Sequence, residues 1–261
     1  MNELILFELR ENIRSKWMFV FAGFLAVAAG ALNYFGDESG GRLVVSQMNL
    51  VLFIVPLFSI TFAGLTFNDS LPFAEVLLSK SLTRSRYFFG KYCGVSLSLF
   101  LSFLVGLGIP GVPLFFSDPK FAILFMELIL FGSILILVFV SLGFLLASFF
   151  KKGELIVSGA LLVWLYFFLL FDSFVFMLSI YLGDYPVEIP ALLVILFNPV
   201  DLVRILIILQ TKASVLLGFS GAFLIRSLGT SLVIVLSILF LAFWVVMPLS
   251  ISYKRFLVRN F

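Results

Sequence analysis

Apolar residues in this chain do not alternate with polar ones. They gather in six long blocks: Trp17–Gly36, Leu43–Asn68, Tyr92–Ser117, Phe121–Phe150, Leu155–Gly183 and Ser227–Tyr253. Short charged breaks separate the blocks, and the acids inside them are Glu127 and Asp172. A helix needs about 20 apolar residues to cross ~30 Å of hydrocarbon. All six blocks meet that length, and several can tilt or kink. The pattern predicts an all-α polytopic membrane protein, folded as a single transmembrane domain over residues 1–261. A mean hydropathy of +1.23 with only 12% charged residues excludes a soluble globular domain.

Three segments outside the blocks carry their own patterns. In residues 2–16, Leu6, Leu9, Ile13 and Trp17 form an apolar stripe at helical spacing, with Glu3, Glu8, Arg10, Glu11 and Arg14 on other positions. This predicts an amphipathic helix in the membrane interface; the alternative is a stop signal that anchors the first span. In residues 68–91, Ser70 can cap a short helix with Pro72 in its first turn. Phe73, Val76 and Leu77 then share a face beside Glu75, and Lys80, Arg84, Arg86 and Lys91 follow. Such a helix suits docking into a partner's groove, whereas the plainer reading is a solvated basic loop. Residues 184–226 hold two apolar runs too short to span, Ile189–Phe197 and Ala213–Ile225. Between them Asn198 is a good N-cap, Pro199 fits the first helical position, and Asp201 suits the first turn. Asp201 and Arg204 are spaced to pair. The expectation is a helix starting at Pro199, outside the membrane or at its outer edge, as part of a lid. In the third block Gly106, Gly108, Pro110, Gly111 and Pro113 predict a kink or a break and a close helix approach.

Charge placement adds an orientation. Twelve Lys and Arg residues lie in the N-terminus, the second and fourth connectors and the C-terminus; five lie in the other connectors. The positive-inside rule puts both termini in the cytoplasm of a cell (inner or plasma) membrane. The N-terminus does not read as a cleavable signal, because charges run through Lys16 and the apolar block after them is too long. A net charge of +3 does not suggest nucleic-acid binding.

Candidate chemistry is sparse. There is no histidine, so Ser-His catalysis and HExxH zinc sites are excluded. The lone Cys93 allows no intrachain disulfide and reads as a small packing residue. No GxxxxGK[ST] segment occurs, so ATP binding by a P-loop is excluded. No catalytic, metal or cofactor site is expected in the chain. Ser98, Ser102 and Ser141 read as interhelical hydrogen-bonders. Intramembrane acids are functional candidates by default. Helical rise places Glu127 about 10 Å from Lys120 and Asp172 about 27 Å from Glu154, both near the outer boundary. They are the best support for an ion-coupled transporter or channel, though no basic partner accompanies them in the blocks.

Taken together, the surface helix, six spans, the short helix between spans two and three, and two short helices before span six resemble the permease subunit of an ABC transporter of the type-2 exporter family. The order matches over the whole chain. Leu77-Leu78-Ser79-Lys80-Ser81-Leu82-Thr83-Arg84, ending in Phe88-Phe89-Gly90-Lys91, is similar to the stretch after that family's coupling helix. Phe171-Asp172 and Leu196–Arg204 resemble the subgroup associated with nitrous oxide reductase maturation. The chain departs from the family at Ser81, where proline is usual, and at Ser70–Pro72, where glycine and a second acid are usual. The resemblance implies a non-catalytic permease, present in two copies with two copies of an ABC ATPase that carries ATP and Mg, in contact with membrane lipid. It implies ATPase coupling through Phe73, Glu75, Val76, Leu77, Arg84, Arg86 and Lys91, and an outer gate around Asn198, Pro199, Asp201 and Arg204. The subgroup implies an extracytoplasmic accessory protein and a cargo related to copper or sulfur. Export of a lipid, drug or peptide is the alternative within this class.

Overall fold

The structure, a computed structural model, describes residues 2–35, 40–80, 82–117, 119–171, 173, 177, 180, 196–209 and 229–259. In chain order the helices are α1 (Asn2–Ile13), α2 (Lys16–Phe35), α3 (Gly40–Asp69), α4 (Leu71–Lys80), α5 (Arg84–Ser117), α6 (Pro119–Phe149) and α7 (Gly153–Leu165). A π-helical turn at Tyr166–Leu170 prolongs α7; α8 (Pro199–Ile208) and α9 (Thr230–Val258) follow. No strand occurs among the described residues. Six helices are long and apolar enough to cross a membrane: Lys16–Phe35, Leu43–Asp69, Arg84–Pro113, Ala122–Phe149, Gly153–Leu170 and Thr230–Val258. This is an all-α, multi-pass membrane protein.

The bundle is assembled where small residues let backbones meet. α3 and α6 pack most intimately. A side chain added at Gly143 would stand 2.6 Å from the Ile60 carbonyl oxygen and 2.9 Å from the Gly64 nitrogen. Lipid tails are as apolar as Leu, so this close van der Waals contact supplies much of the association. At Gly106, α5 approaches α2 as closely: an added Cβ would lie 2.8 Å from the Ala22 carbonyl. The glycine-rich end of the third span thus permits the expected close approach. α5 is helical throughout and not broken at Pro110 and Pro113. The Asn33 amide donates to the Pro110 carbonyl at 2.6 Å, and Gln47 Nε2 donates to Asn33 Oδ1 at 2.7 Å. One polar chain therefore joins α2, α3 and α5 near the end of the bundle away from the termini.

The end that carries the termini is closed by aromatic rings. Phe67 (α3) stacks on Phe144 (α6) at 4.4 Å, and Phe88 (α5) meets Phe144 edge-on at 5.6 Å. Phe256 (α9) lies 5.9 Å from both Phe67 and Tyr87. Ser252 Oγ donates to the Phe144 carbonyl at 2.9 Å, so α9 is also held by a buried hydrogen bond.

Candidate functional site

α4 stands on this aromatic layer. Its first turn stays attached to α3: the Ala74 N–H donates to the Ser70 carbonyl at 2.9 Å. The Ser70 hydroxyl does not cap α4 as expected. It donates back to the Phe67 carbonyl at 2.9 Å, which leaves the Ser70 carbonyl to accept from the Tyr87 hydroxyl at 3.1 Å. Leu71 and Ala74 are buried, whereas Phe73 (45% exposed) and Val76 (53%) project outward beside Glu75. Leu77 is half-buried and packs against the core rather than joining that exposed face fully. Phe73 also stacks with Phe7 of α1 at 6.2 Å. Arg86 is exposed, while Arg84 is half-buried and donates to the Leu257 carbonyl of α9. Ser85 is hydrogen-bonded to Tyr253. The start of the apolar knob is thus hydrogen-bonded to α3 and α5, and the first turn of α5 is bonded in turn to α9.

Lys91 does not belong to that surface. It is 4% exposed and its Nζ lies 2.5 Å from Glu8 Oε2, itself buried. Glu8, off the apolar stripe in the sequence, thus lies buried against α5. Gly90 and Gly94 create the room: added Cβ atoms would stand 2.5 Å from Leu4 Cδ2 and 2.5 Å from Glu8 Cβ. The face of α1 that packs on α5 is Leu4, Glu8 and Asn12, while Leu6, Ile13 and Trp17 of the apolar stripe remain exposed. Burial raises the Glu8 pKa above the usual carboxylate range, against the opposing pull of the Lys91 ammonium.

α8 begins at Pro199 with Asn198 as N-cap, whose Oδ1 accepts from the Val200 N–H at 3.0 Å. Asn198 Nδ2 donates to Asp201 Oδ2 at 2.7 Å and to the Phe167 carbonyl at 3.0 Å. Asp201 pairs with Arg204 at 2.8 Å. The site lies inside the bundle, beside the far part of the fifth span. Phe167 lies fourteen residues into the fifth span, about 21 Å along it. Its ring meets that of Trp244, midway along α9, at 5.2 Å. The helix therefore starts within the bundle. Arg204 apart, every residue of α8 is buried, against α6, α9 and α3. The reason is compositional: outside Asp201 and Arg204 the helix is apolar on all sides, so it seeks a core. The π-helical turn places the Phe167 carbonyl where Asn198 can satisfy it; such turns are frequent at functional sites.

With this architecture in view, two curated relatives can be compared over most of their length. Both carry the name "Probable ABC transporter permease protein NosY". The one from Stutzerimonas stutzeri is 26% identical over 95% of each chain. The one from Pseudomonas aeruginosa is 28% identical over 76% of this chain and 78% of the relative. No family model matches the chain. Similarity and architecture support an ABC permease, most like NosY. Permeases of this kind imply an ATPase partner in general.

The remaining candidates are dispersed. Glu127 is half-buried on α6, and its Oε2 is buried with no hydrogen-bond partner among the described residues. Asp172 lies outside the described residues, as do most of the apolar runs flanking α8; the side chain of Lys80 is likewise not described. Ser102 reaches Met18 Sδ at 3.4 Å and Ser141 reaches the Trp244 carbonyl at 3.2 Å, both between helices. Ser98 instead bonds to Gly94 of its own helix. Cys93 is exposed on α5 rather than packed, because the buried face of that turn is taken by Lys91, Tyr92 and Gly94. Glu8, Asn12, Asn33 and Gln47 escaped sequence reasoning. The Gly90 and Gly94 pair next to Lys91 was the signal available for the first two.

Proposed function

We propose that this chain is the membrane subunit of an ATP-driven assembly and that α4 receives the stroke of a separate ATPase. The observation that carries this reading is the exposed Phe73–Val76 knob, braced through Ser70 and Tyr87 to α3 and α5, with Arg84 tying the start of α5 to α9. In this reading the chain hydrolyses no ATP itself and works as two copies with two ATPase subunits. Both termini and α4 face the cytoplasm, in keeping with the twelve-to-five distribution of Lys and Arg. The likeness to NosY favours a role in maturing an extracytoplasmic copper enzyme, nitrous oxide reductase. An outer accessory protein would then be moved by the segment around α8, with a sulfur or copper species as cargo. The chain lacks histidine and has one cysteine, so it passes on a conformational change or a sulfur species more readily than it chelates copper.

Two measurements test the reading. Val76→Asp places a charge in the centre of the apolar knob. It should abolish co-purification of a co-expressed ABC ATPase subunit while leaving membrane levels of the chain unchanged. Undiminished ATPase capture would remove α4 from the interface. For orientation, Arg86→Cys in a Cys93→Ser background should react with a membrane-impermeant maleimide only after the cells are opened. Labelling in intact cells would reverse the topology.

A further inference from the structure

At the end that carries the termini, α6 and α9 border a cleft of about 580 Å³, a size within the usual range for small-molecule sites. Its floor is aromatic, formed by the buried rings of Phe67 and Phe256. Its rim is cationic: Lys151, Lys254, Arg255 and Arg259 line it, and no carboxylate does among the described residues. None of the four has an ion-pair partner among the described residues. Arg255 is held in place. Its guanidinium carbon lies 3.9 Å from the centre of the Phe149 ring, and its Nε donates to the Ser148 carbonyl at 3.3 Å. A guanidinium has five N–H donors, so both Nη groups are left for a ligand. Topology asks only for a count of positive charges on one side of the membrane. It does not ask that four of them converge on one concavity, where each repels the others. The cleft also meets the bilayer. Leu232, Leu239 and Phe243 are exposed along one face of α9, and helical spacing brings Lys254 onto that same face. Phe149 and Val258 are exposed at the edge of the cleft. A stripe that faces lipid tails thus ends on cations at headgroup height.

We propose that the cleft binds the headgroup of an anionic phospholipid, one that carries phosphate and no ammonium. The phosphodiester takes the two Nη groups of Arg255 as a fork, the planar geometry that suits phosphate. Lys254 and Arg259 add charge-assisted hydrogen bonds from α9, and Lys151 adds one from the connector after α6. An acyl chain lies along Phe243 and Leu239. Basic pockets between spans are a recurrent seat for such headgroups. Charge selects among occupants. A zwitterionic lipid would bring its ammonium against unpaired cations. A second copy of this chain seated here about a two-fold axis would set the four cations against their own equivalents. A free phosphate would share the cations but leave the exposed face of α9 without a part in binding. The site is a property of the chain alone and does not depend on the ATP-driven reading.

The test uses the full-length chain in phosphatidylcholine vesicles doped with rising fractions of a photoreactive phosphatidylglycerol. Labelling should fall on peptides containing residues 149–152 and 254–259, several-fold above that from a photoreactive phosphatidylcholine. Lys254→Gln/Arg259→Gln should raise the mole fraction needed for half-maximal labelling about thirtyfold, at about 1 kcal/mol per cation. Arg10→Gln/Arg14→Gln removes the same charge from exposed positions of α1, at the same end of the bundle but outside the cleft. It should leave that mole fraction nearly unchanged. Equal labelling of the wild-type chain by both probes would overturn the proposal, and that comparison needs no variant. An equal shift in both double variants would overturn it too, because diffuse surface charge would then account for the binding. Displacement of the probe by millimolar inorganic phosphate would assign the cleft to a soluble phosphate instead. Labelling that ignores Lys254→Gln/Arg259→Gln, with capture of a co-expressed ABC ATPase lost, would give the cleft to an acidic protein surface.

Discussion

Replacing Lys91 with methionine should detach α1 from the bundle. Glu8 and Lys91 are both almost wholly buried and 2.5 Å apart. Removing the ammonium strands a carboxylate in an apolar contact, a change that costs about 3–5 kcal/mol. The surrounding packing cannot relax to admit water, since Gly90 and Gly94 hold the two helices in backbone-level contact. A spin label at Glu3, exposed on α1, should become mobile in Lys91→Met, and the melting temperature should fall by several degrees. Glu8→Gln/Lys91→Met should recover most of both, because two neutral groups of similar volume replace the pair. The defect should also depend on pH in a defined direction. Burial raises the Glu8 pKa in the docked state, and the nearby Glu11 adds to that, while Lys91 opposes it. A raised carboxyl pKa favours docking below the ordinary carboxylate value, and the contribution fades as pH rises through the docked value. Without Lys91 the docked value rises further, so acidification should re-immobilise α1 in the single variant. A label equally immobile in both chains, or mobile at every pH in Lys91→Met, would show that the pair does not hold α1.

The contrast between Lys91 and Arg86 shows where sequence reading ends. Both follow α4, both are basic, and in the sequence both belong to one run of positive charge. Their separation depends on Gly90 and Gly94, whose meaning appears only once α1 is known to lie against them. The six spans were legible because long apolar blocks leave a chain no alternative in a bilayer, where every backbone group must be satisfied within its own helix. The cap at Asn198 was legible for a similar reason: N-capping, proline at the first position and an early acid act within one turn. The burial of α8 was not, because it follows from which walls the apolar helix finds. Neither was the Asn33–Gln47 relay, which joins α2 to α3 and ends on the Pro110 carbonyl of α5. Polar residues at isolated positions carry no periodic signal. The π-helical turn at Tyr166–Leu170 has no marker in its sequence of aromatic and leucine residues either.

Asp201→Ala should be the most damaging single change near α8. The carboxylate is 2% exposed, accepts from Asn198 Nδ2 at 2.7 Å and pairs with Arg204 at 2.8 Å. Its loss takes this carboxylate from the half-buried Arg204 guanidinium and from Asn198 Nδ2, and a cost of up to about 3–5 kcal/mol follows. Asn198→Ala should cost less. It removes the cap, worth about 1 kcal/mol, and deprives the Phe167 carbonyl of a donor, for about 1–3 kcal/mol more. Asp201→Asn/Arg204→Gln keeps hydrogen-bonding capacity while discharging both groups, so it should melt closer to the wild type than Asp201→Ala does. This ordering separates an electrostatic anchor from simple packing, since the double substitution removes both charges together while Asp201→Ala removes only one of them. Thermal unfolding of the purified variants in one detergent measures it. If Asp201→Ala melted with the wild type, the pair would be worth no more than an exposed one, and the buried placement of α8 would have to be abandoned. If it melted low while the double variant did not, the cluster is a charge balance set among spans two, four, five and six. Any motion of α8 would then have to carry Asp201 and Arg204 together.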